Sequence, residues 1–168
     1  MDEFFPVLNA NGEVIGKATR KECHSGSMLL HPVVHLHILR QKEYIYLQKR
    51  SLNKDIQPGK WDTAVGGHVD YGETIVDALH REAREELGLI DICPKKLVSY
   101  KFQSEVEQEQ VNVYYIEVGD DFAPTIDPIE IDDARFWHFD EIEETMGKGQ
   151  GDGLIGEKTL AKAKSIKK

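Results

Sequence analysis

Gly67 to Leu89, GHVDYGETIVDALHREAREELGL, reads as a short loop followed by one helix. Ile75, Leu79, Ala83 and Leu87 recur every four residues and make a buried stripe along one helix face. Glu82, Glu85 and Glu86 stand at i, i+3 and i+4, so their side chains share one face beside that stripe. Like charges at this spacing repel by roughly a few tenths of a kcal/mol per pair. A divalent cation reverses the sign of that cost, and hard carboxylate oxygens suit Mg²⁺ or Mn²⁺. Taken alone, such an acidic cluster is most often a solvated helix face, so the surrounding chain has to decide between the two readings.

With 168 residues, 40% hydrophobic and 30% charged, the chain is expected to form one soluble domain over residues 1–168. A net charge of −9 argues against a nucleic acid polymer or an anionic membrane as partner. No apolar run approaches spanning length. The acidic N-terminus is no secretory signal, which makes the cytoplasm the expected location. Cys23 and Cys93 read as free thiols, and no CxxC suggests a thiolate zinc site.

Working outward from the helix, Gly88 is a good left-handed cap and Pro94 marks the next boundary. Upstream, Trp61 to Val69 is a strand interrupted by Gly66-Gly67, where something must approach the backbone closely. His31 to Leu39 alternates, with Val34, Leu36 and Ile38 on one face and His35 and His37 on the other. Its antiparallel partner is 43–50, across a Gln41-Lys42 turn. An N-terminal hairpin spans 4–19 around an Asn11-Gly12 two-residue turn, and 20–30 reads as a loop. Downstream come strands at 97–103, 110–118 and 134–139, with a Pro- and Asp-rich loop at 119–133. Asp140 caps a short helix, and a helical tail over about 154–168 turns Leu160 and Ala161 inward. The natural packing is α/β (α+β), a mixed sheet between helical layers.

The opening stretch resembles the Nudix box, G-x5-E-x7-R-E-U-x-E-E-x-G-U with U bulky and aliphatic. Gly67, Glu73, Arg81, Glu82, Glu85, Glu86, Gly88 and Leu89 fill its positions, and Ala83 is the one soft match. The resemblance implies a Nudix-type α/β/α sandwich and Mg²⁺- or Mn²⁺-dependent hydrolysis of a diphosphate linkage in a nucleoside diphosphate derivative or related pyrophosphate. It implies metal ligation by Glu82, Glu85, Glu86 and the Gly67 carbonyl. Glu73 and Arg81 resemble the family's structural pair.

A second resemblance covers residues 24–139, which look like type I isopentenyl-diphosphate isomerase, a Nudix-fold enzyme. His24 and His31, seven residues apart, His68, and the Glu107-x-Glu109 pair match that family's positions. They imply a second divalent-metal site, with zinc or manganese suited to mixed His and Glu ligation. Arg50 and Lys54 precede Pro58-Gly59-Lys60-Trp61, as a diphosphate-binding basic segment does in the isomerase, and Trp137 matches an aromatic near the reacting carbons. Trp61 and Trp137 are candidates to stack on the substrate, although both also read as core or pocket-wall aromatics. The isomerase needs a cysteine where this chain has Gly66, so one proton-handling group is missing and hydrolysis is favoured. The general base stays open between Glu82 and Glu107 or Glu109. The alternatives to a hydrolase are the isomerase itself and a non-catalytic nucleotide-binding regulatory domain. The expected partner is a small-molecule diphosphate, and the assembly a monomer or homodimer.

Overall fold

The computed structural model describes residues 3–53, 59, 61–145 and 157–166. Its centre is β3 (Leu30–Arg40), which runs parallel to β8 (Gln108–Val118) along its whole length. Both faces of β3 are covered, so the strand is buried almost throughout, His31 and His37 included. Val34, Leu36 and Ile38 pack toward α2 (Ile75–Leu87) together with Ala78, Leu79, Ala83 and Leu87. Val33 and Leu39 face a second core that includes Phe139 and Ile142 of α3 (Phe139–Thr145) and Ala163 of α4 (Glu157–Ser165). Helices thus cover both sides of a mixed sheet, the expected α/β/α sandwich.

The strand order is β5–β4–β3–β8–β7, with β6 also on β3 and β9 on β4, where β4 is Tyr44–Arg50, β5 Trp61–Thr63, β6 Val65–His68, β7 Lys95–Gln103 and β9 Ile131–His138. The site depends on a split in this sheet. β4 meets β3 only at Leu39 opposite Ile45 and Arg40 opposite Tyr44, and then the two strands diverge. The segment 61–68 bridges the gap by pairing first with β4 and then with β3. The break in that segment therefore falls at Ala64, where it changes partner, and not at Gly66-Gly67 as the sequence suggests. Both glycines lie inside β6, and Gly67 serves the close approach of a side chain described below.

Helix α2 begins where Thr74 Oγ1 accepts the Asp77 N–H at 3.1 Å. It ends at Gly88, whose φ of 68° is the left-handed conformation glycine tolerates best. Burying Leu79 and Leu87 contributes about 1.5–3 kcal/mol each. That anchors the helix so that its carboxylates face the split.

The N-terminal hairpin, β1 (Phe4–Leu8) and β2 (Val14–Thr19), forms a separate two-stranded sheet. Its connection is longer than the expected two-residue turn. Asn9 Oδ1 accepts the N–H groups of Asn11 and Glu13, which opens the loop and shifts the register between Val7 and Leu8. The expected loop at 20–30 opens with α1 (Arg20–Cys23) on a reciprocal Thr19–Glu22 capping box. Helix α3 starts at Phe139, one residue before the expected Asp140 cap. In α4 the inward residue is Ala163, whereas Ala161 is exposed; the Leu160 side chain and the Gly-rich run at 147–153 lie outside what the structure describes.

Candidate metal and diphosphate site

Arg81 organises the α2 side of the split. Its guanidinium grips Glu73 bidentately, Nε to Oε2 at 2.8 Å and Nη2 to Oε1 at 2.9 Å. It also donates to Glu82 Oε1 at 2.7 Å and to the His68 carbonyl at 3.0 Å. Glu73 in turn accepts the Asp70 N–H, so the loop is tied to the helix at both ends. The Arg81 hydrogen bonds hold the Glu73 carboxyl below the usual range. Glu85 is more than half exposed, 3.5 Å from Arg81.

Glu82 and Glu86 are in the opposite electrostatic state. Burial outweighs the nearby Arg81 and leaves Glu82 above the usual carboxylate range. Glu86 keeps exposed surface, yet its carboxyl is crowded by protein and its Oε2 accepts the Gly66 N–H at 3.0 Å. Desolvation, then the Glu82 charge, push Glu86 up to about 8. A Cβ at Gly67 would collide with the Glu82 carboxyl group and displace it from the place where Arg81 holds it. Crowded carboxylates raised by desolvation and by each other fit a hard divalent cation, which would relieve both costs.

The histidine cluster lies next to this group. His24, His31, His68 and Glu109 each present one ligand atom, all within 4.8 Å of one another. The His24 and His68 Nε2 atoms are 3.2 Å apart, and Glu107 Oε2 is 3.1 Å from His24 Nε2. His31 Nε2 is buried with no hydrogen-bond partner, while its Nδ1 is fixed by the Leu29 carbonyl at 2.9 Å. Two nitrogens sharing one ion at about 2.1 Å stand roughly 3.0–3.4 Å apart, which the 3.2 Å spacing fits. The orphaned His31 nitrogen fits the same ion. Burial, then the charges of Arg20 and the neighbouring histidines, hold His68 down to about 3, and so neutral and ligand-competent. Desolvation, then Glu107, push Glu109 up to about 7. Phe5 closes this cluster from the hairpin, its ring stacked on His68 with centroids 4.5 Å apart and planes 3° apart.

Glu82 and Glu86 of the first group and His68 and Glu109 of the second line one cleft of about 450 Å³, a size suited to a small ligand, whereas Glu85, His24, His31 and Glu107 are not among its lining residues. Arg50 lines it, 3.9 Å from Asp62, and Arg20 reaches it from α1. Lys54 lies outside the described residues. Trp61 and Trp137 do not line this cleft. They meet edge-on with centroids 5.1 Å apart, and Arg135 covers Trp137 at 3.7 Å. Sequence reasoning missed Phe5, Arg20 and His35 as cleft residues. Only Arg20 left a trace, in the Thr19-x-x-Glu22 capping box that holds it. Neither cysteine belongs to the site: Cys23 is buried in the hairpin core and Cys93 is exposed beyond α2.

The family model of the NUDIX domain matches residues 29–155. An uncharacterized Nudix hydrolase of Listeria monocytogenes is 31% identical over 150 residues, covering 88% of this chain and 87% of the relative. An isopentenyl-diphosphate Delta-isomerase of Pectobacterium atrosepticum is 28% identical over 144 residues, 83% and 79% of the two chains. A crystal structure of a Deinococcus radiodurans protein shares the fold with a TM-score of 0.75 at 24% identity, covering 95% of this chain and 97% of that one. With its complete box folded as loop and helix beside a split mixed sheet, the chain belongs to the Nudix family.

Proposed function

We propose that this chain is a divalent-metal-dependent hydrolase that cleaves the diphosphate linkage of a small nucleoside diphosphate derivative or related pyrophosphate. One observation carries the reading: Glu82 and Glu86 converge on Gly66-Gly67 in a cleft that also holds Arg20 and Arg50. Glu82, Glu85, Glu86 and the Gly67 backbone would hold Mg²⁺ or Mn²⁺. Such an ion neutralises diphosphate oxygens and makes water more acidic. Arg50 and Arg20 orient the phosphates by charge-assisted hydrogen bonds, with Lys54 as a further basic contact. Arg81, fixed on Glu73, positions Glu82. The Glu109 carboxyl, pushed up to about 7, has the basicity to take a proton from attacking water near neutral pH, and Glu82 is the alternative base. His24, His31, His68, Glu107 and Glu109 would hold a second divalent ion. The protein is expected in the cytoplasm; among the described residues no helix is long and apolar enough to cross a membrane.

The histidine cluster favours a second reading, isomerisation of isopentenyl diphosphate. Against it, the cleft contains no thiol, because its place is taken by Gly66. Incubation with Mg²⁺ and a panel of nucleoside diphosphate derivatives and isopentenyl diphosphate separates the readings. Nucleotide or phosphate release that disappears in Glu85→Gln is the expected result. Allylic isomer formation without phosphate release would overturn it, and tight binding without turnover would make the protein a regulatory module.

A further inference from the structure

His68 stands where the two halves of the site meet. Its backbone is fixed twice: it pairs with Val33 at the end of β6, and its carbonyl accepts Arg81 Nη2 at 3.0 Å. Its side chain is less constrained. A metal-ligating imidazole is ordinarily oriented by a hydrogen bond at its other ring nitrogen. His31 has that bond, from Nδ1 to the Leu29 carbonyl at 2.9 Å. Among the described residues, no such hydrogen bond holds His68 Nδ1. What holds the ring is Phe5. Its ring lies parallel to the imidazole, with centroids 4.5 Å apart and planes 3° apart, and covers one face of it. Phe5 is itself fixed: it is 1% exposed and packs with Val7, Ala18, Cys23 and Leu29. The hairpin that carries it is tied to the loop before α2 by the Tyr71 N–H, which donates to the Phe4 carbonyl at 2.8 Å. In this pose His68 Nε2 is 3.2 Å from His24 Nε2 and 3.8 Å from Glu109 Oε2.

We infer that Phe5 is a positioning residue for the histidine cluster: its stack does the work of the missing hydrogen bond and keeps His68 Nε2 turned into the cluster. The inference rests on the second divalent-ion site proposed above. Without the aromatic face, the imidazole is free to turn about its Cβ–Cγ bond. The ordering that the fold now supplies must then be drawn from the binding energy of the ion. Groups that orient a ligand without touching the metal change metal affinity by about 10- to 100-fold. The hairpin thus belongs to the site through Phe5, although it forms a sheet of its own.

Zinc titration against a competing chelator, with Mg²⁺ saturating, tests this. Phe5→Leu keeps an apolar side chain in the hairpin core and removes the flat ring. It is expected to weaken zinc binding about tenfold. Val7→Ala loosens the same core and leaves the Phe5 ring in place. It is expected to lower the melting temperature and to keep zinc affinity within about twofold of wild type. In a His68→Ala background, Phe5→Leu is expected to add no further loss, because Phe5 acts through that imidazole. In metal-free wild-type protein, the Phe5 ring current should move the His68 ring protons upfield in the NMR spectrum, and Phe5→Leu should return them. Unchanged zinc affinity in Phe5→Leu, an equal loss in Val7→Ala, a full further loss in the His68→Ala background, or unshifted ring protons would overturn the inference and leave the second-ion reading standing. Wild-type protein that takes up no zinc at the cluster would overturn both.

Discussion

Arg81 gathers Glu73, Glu82 and Glu85 from a single stretch of chain, whereas the histidine cluster draws its five side chains from four separate segments. The first group is neutralised from within: one guanidinium forms ion pairs with Asp70, Glu73, Glu82 and Glu85, while Glu86 lines the open cleft. The second group has no internal cation of its own, is partly roofed by Phe5, and leaves a buried nitrogen unpaired. The contrast separates two ways of preparing a metal site. One holds repelling anions on a rigid helix. The other buries neutral bases and an adjacent carboxylate.

The largest expected effect breaks the anionic half. Glu82→Gln or Glu85→Gln should lower turnover roughly a thousandfold, about 4 kcal/mol, through loss of transition-state charge stabilisation. Steady-state kinetics checks this, with circular dichroism unchanged. Arg81→Met tests the clamp. It strands Glu73 and Glu82, whose side chains are only 17% and 15% exposed, and should cost about 3 kcal/mol in urea unfolding. His68→Ala breaks the other half and should weaken zinc or manganese binding roughly a hundredfold by competition titration, sparing Mg²⁺ at the helix.

His68 and Glu86 differ in the sign of their pH response in metal-free protein, and Glu109 of the histidine cluster, pushed up to about 7, follows Glu86. His68 is held down to about 3, so its contribution to stability is present above the unfolded value near 6.5 and is lost as pH falls through that range. Glu86 is pushed up to about 8, so its contribution is present below its unfolded value near 4.5 and is lost as pH rises toward 8. Saturating divalent metal should remove the loss on the alkaline side, and thermal unfolding at pH 5 to 8 with and without metal checks it. The smallest effect sharpens the boundary of the cleft: Trp137→Phe should leave KM within about twofold, because the indole lies outside it.

The anionic half was readable because its chemistry is local. The i, i+3, i+4 glutamates and the Gly88 cap follow from helix geometry, while the Glu73–Arg81 pair came from the resemblance to the Nudix box. The histidine cluster follows from three contacts that no local pattern fixes: His31 opposite Glu109 in the parallel β3–β8 ladder, His68 opposite Val33, and His24 at the end of α1 against His68 and Glu107. Only a family resemblance pointed to it. Phe5 and His35 were invisible for the same reason, since each acts across a sheet partner distant in sequence. In sequence an aromatic fits a pocket wall and a core edge equally well; Trp61 and Trp137 pack against the second core and edge-on against each other.

The central claim is attack of water on phosphorus in the Glu82–Glu86 cleft. Its most direct test is turnover of a nucleoside diphosphate derivative with Mg²⁺ in ¹⁸O-labelled water, read by mass spectrometry of the products. The account predicts one labelled oxygen in a phosphate-containing product, with no label incorporated by Glu85→Gln. Product formation without label in any phosphate, or undiminished labelling in Glu85→Gln, would contradict it.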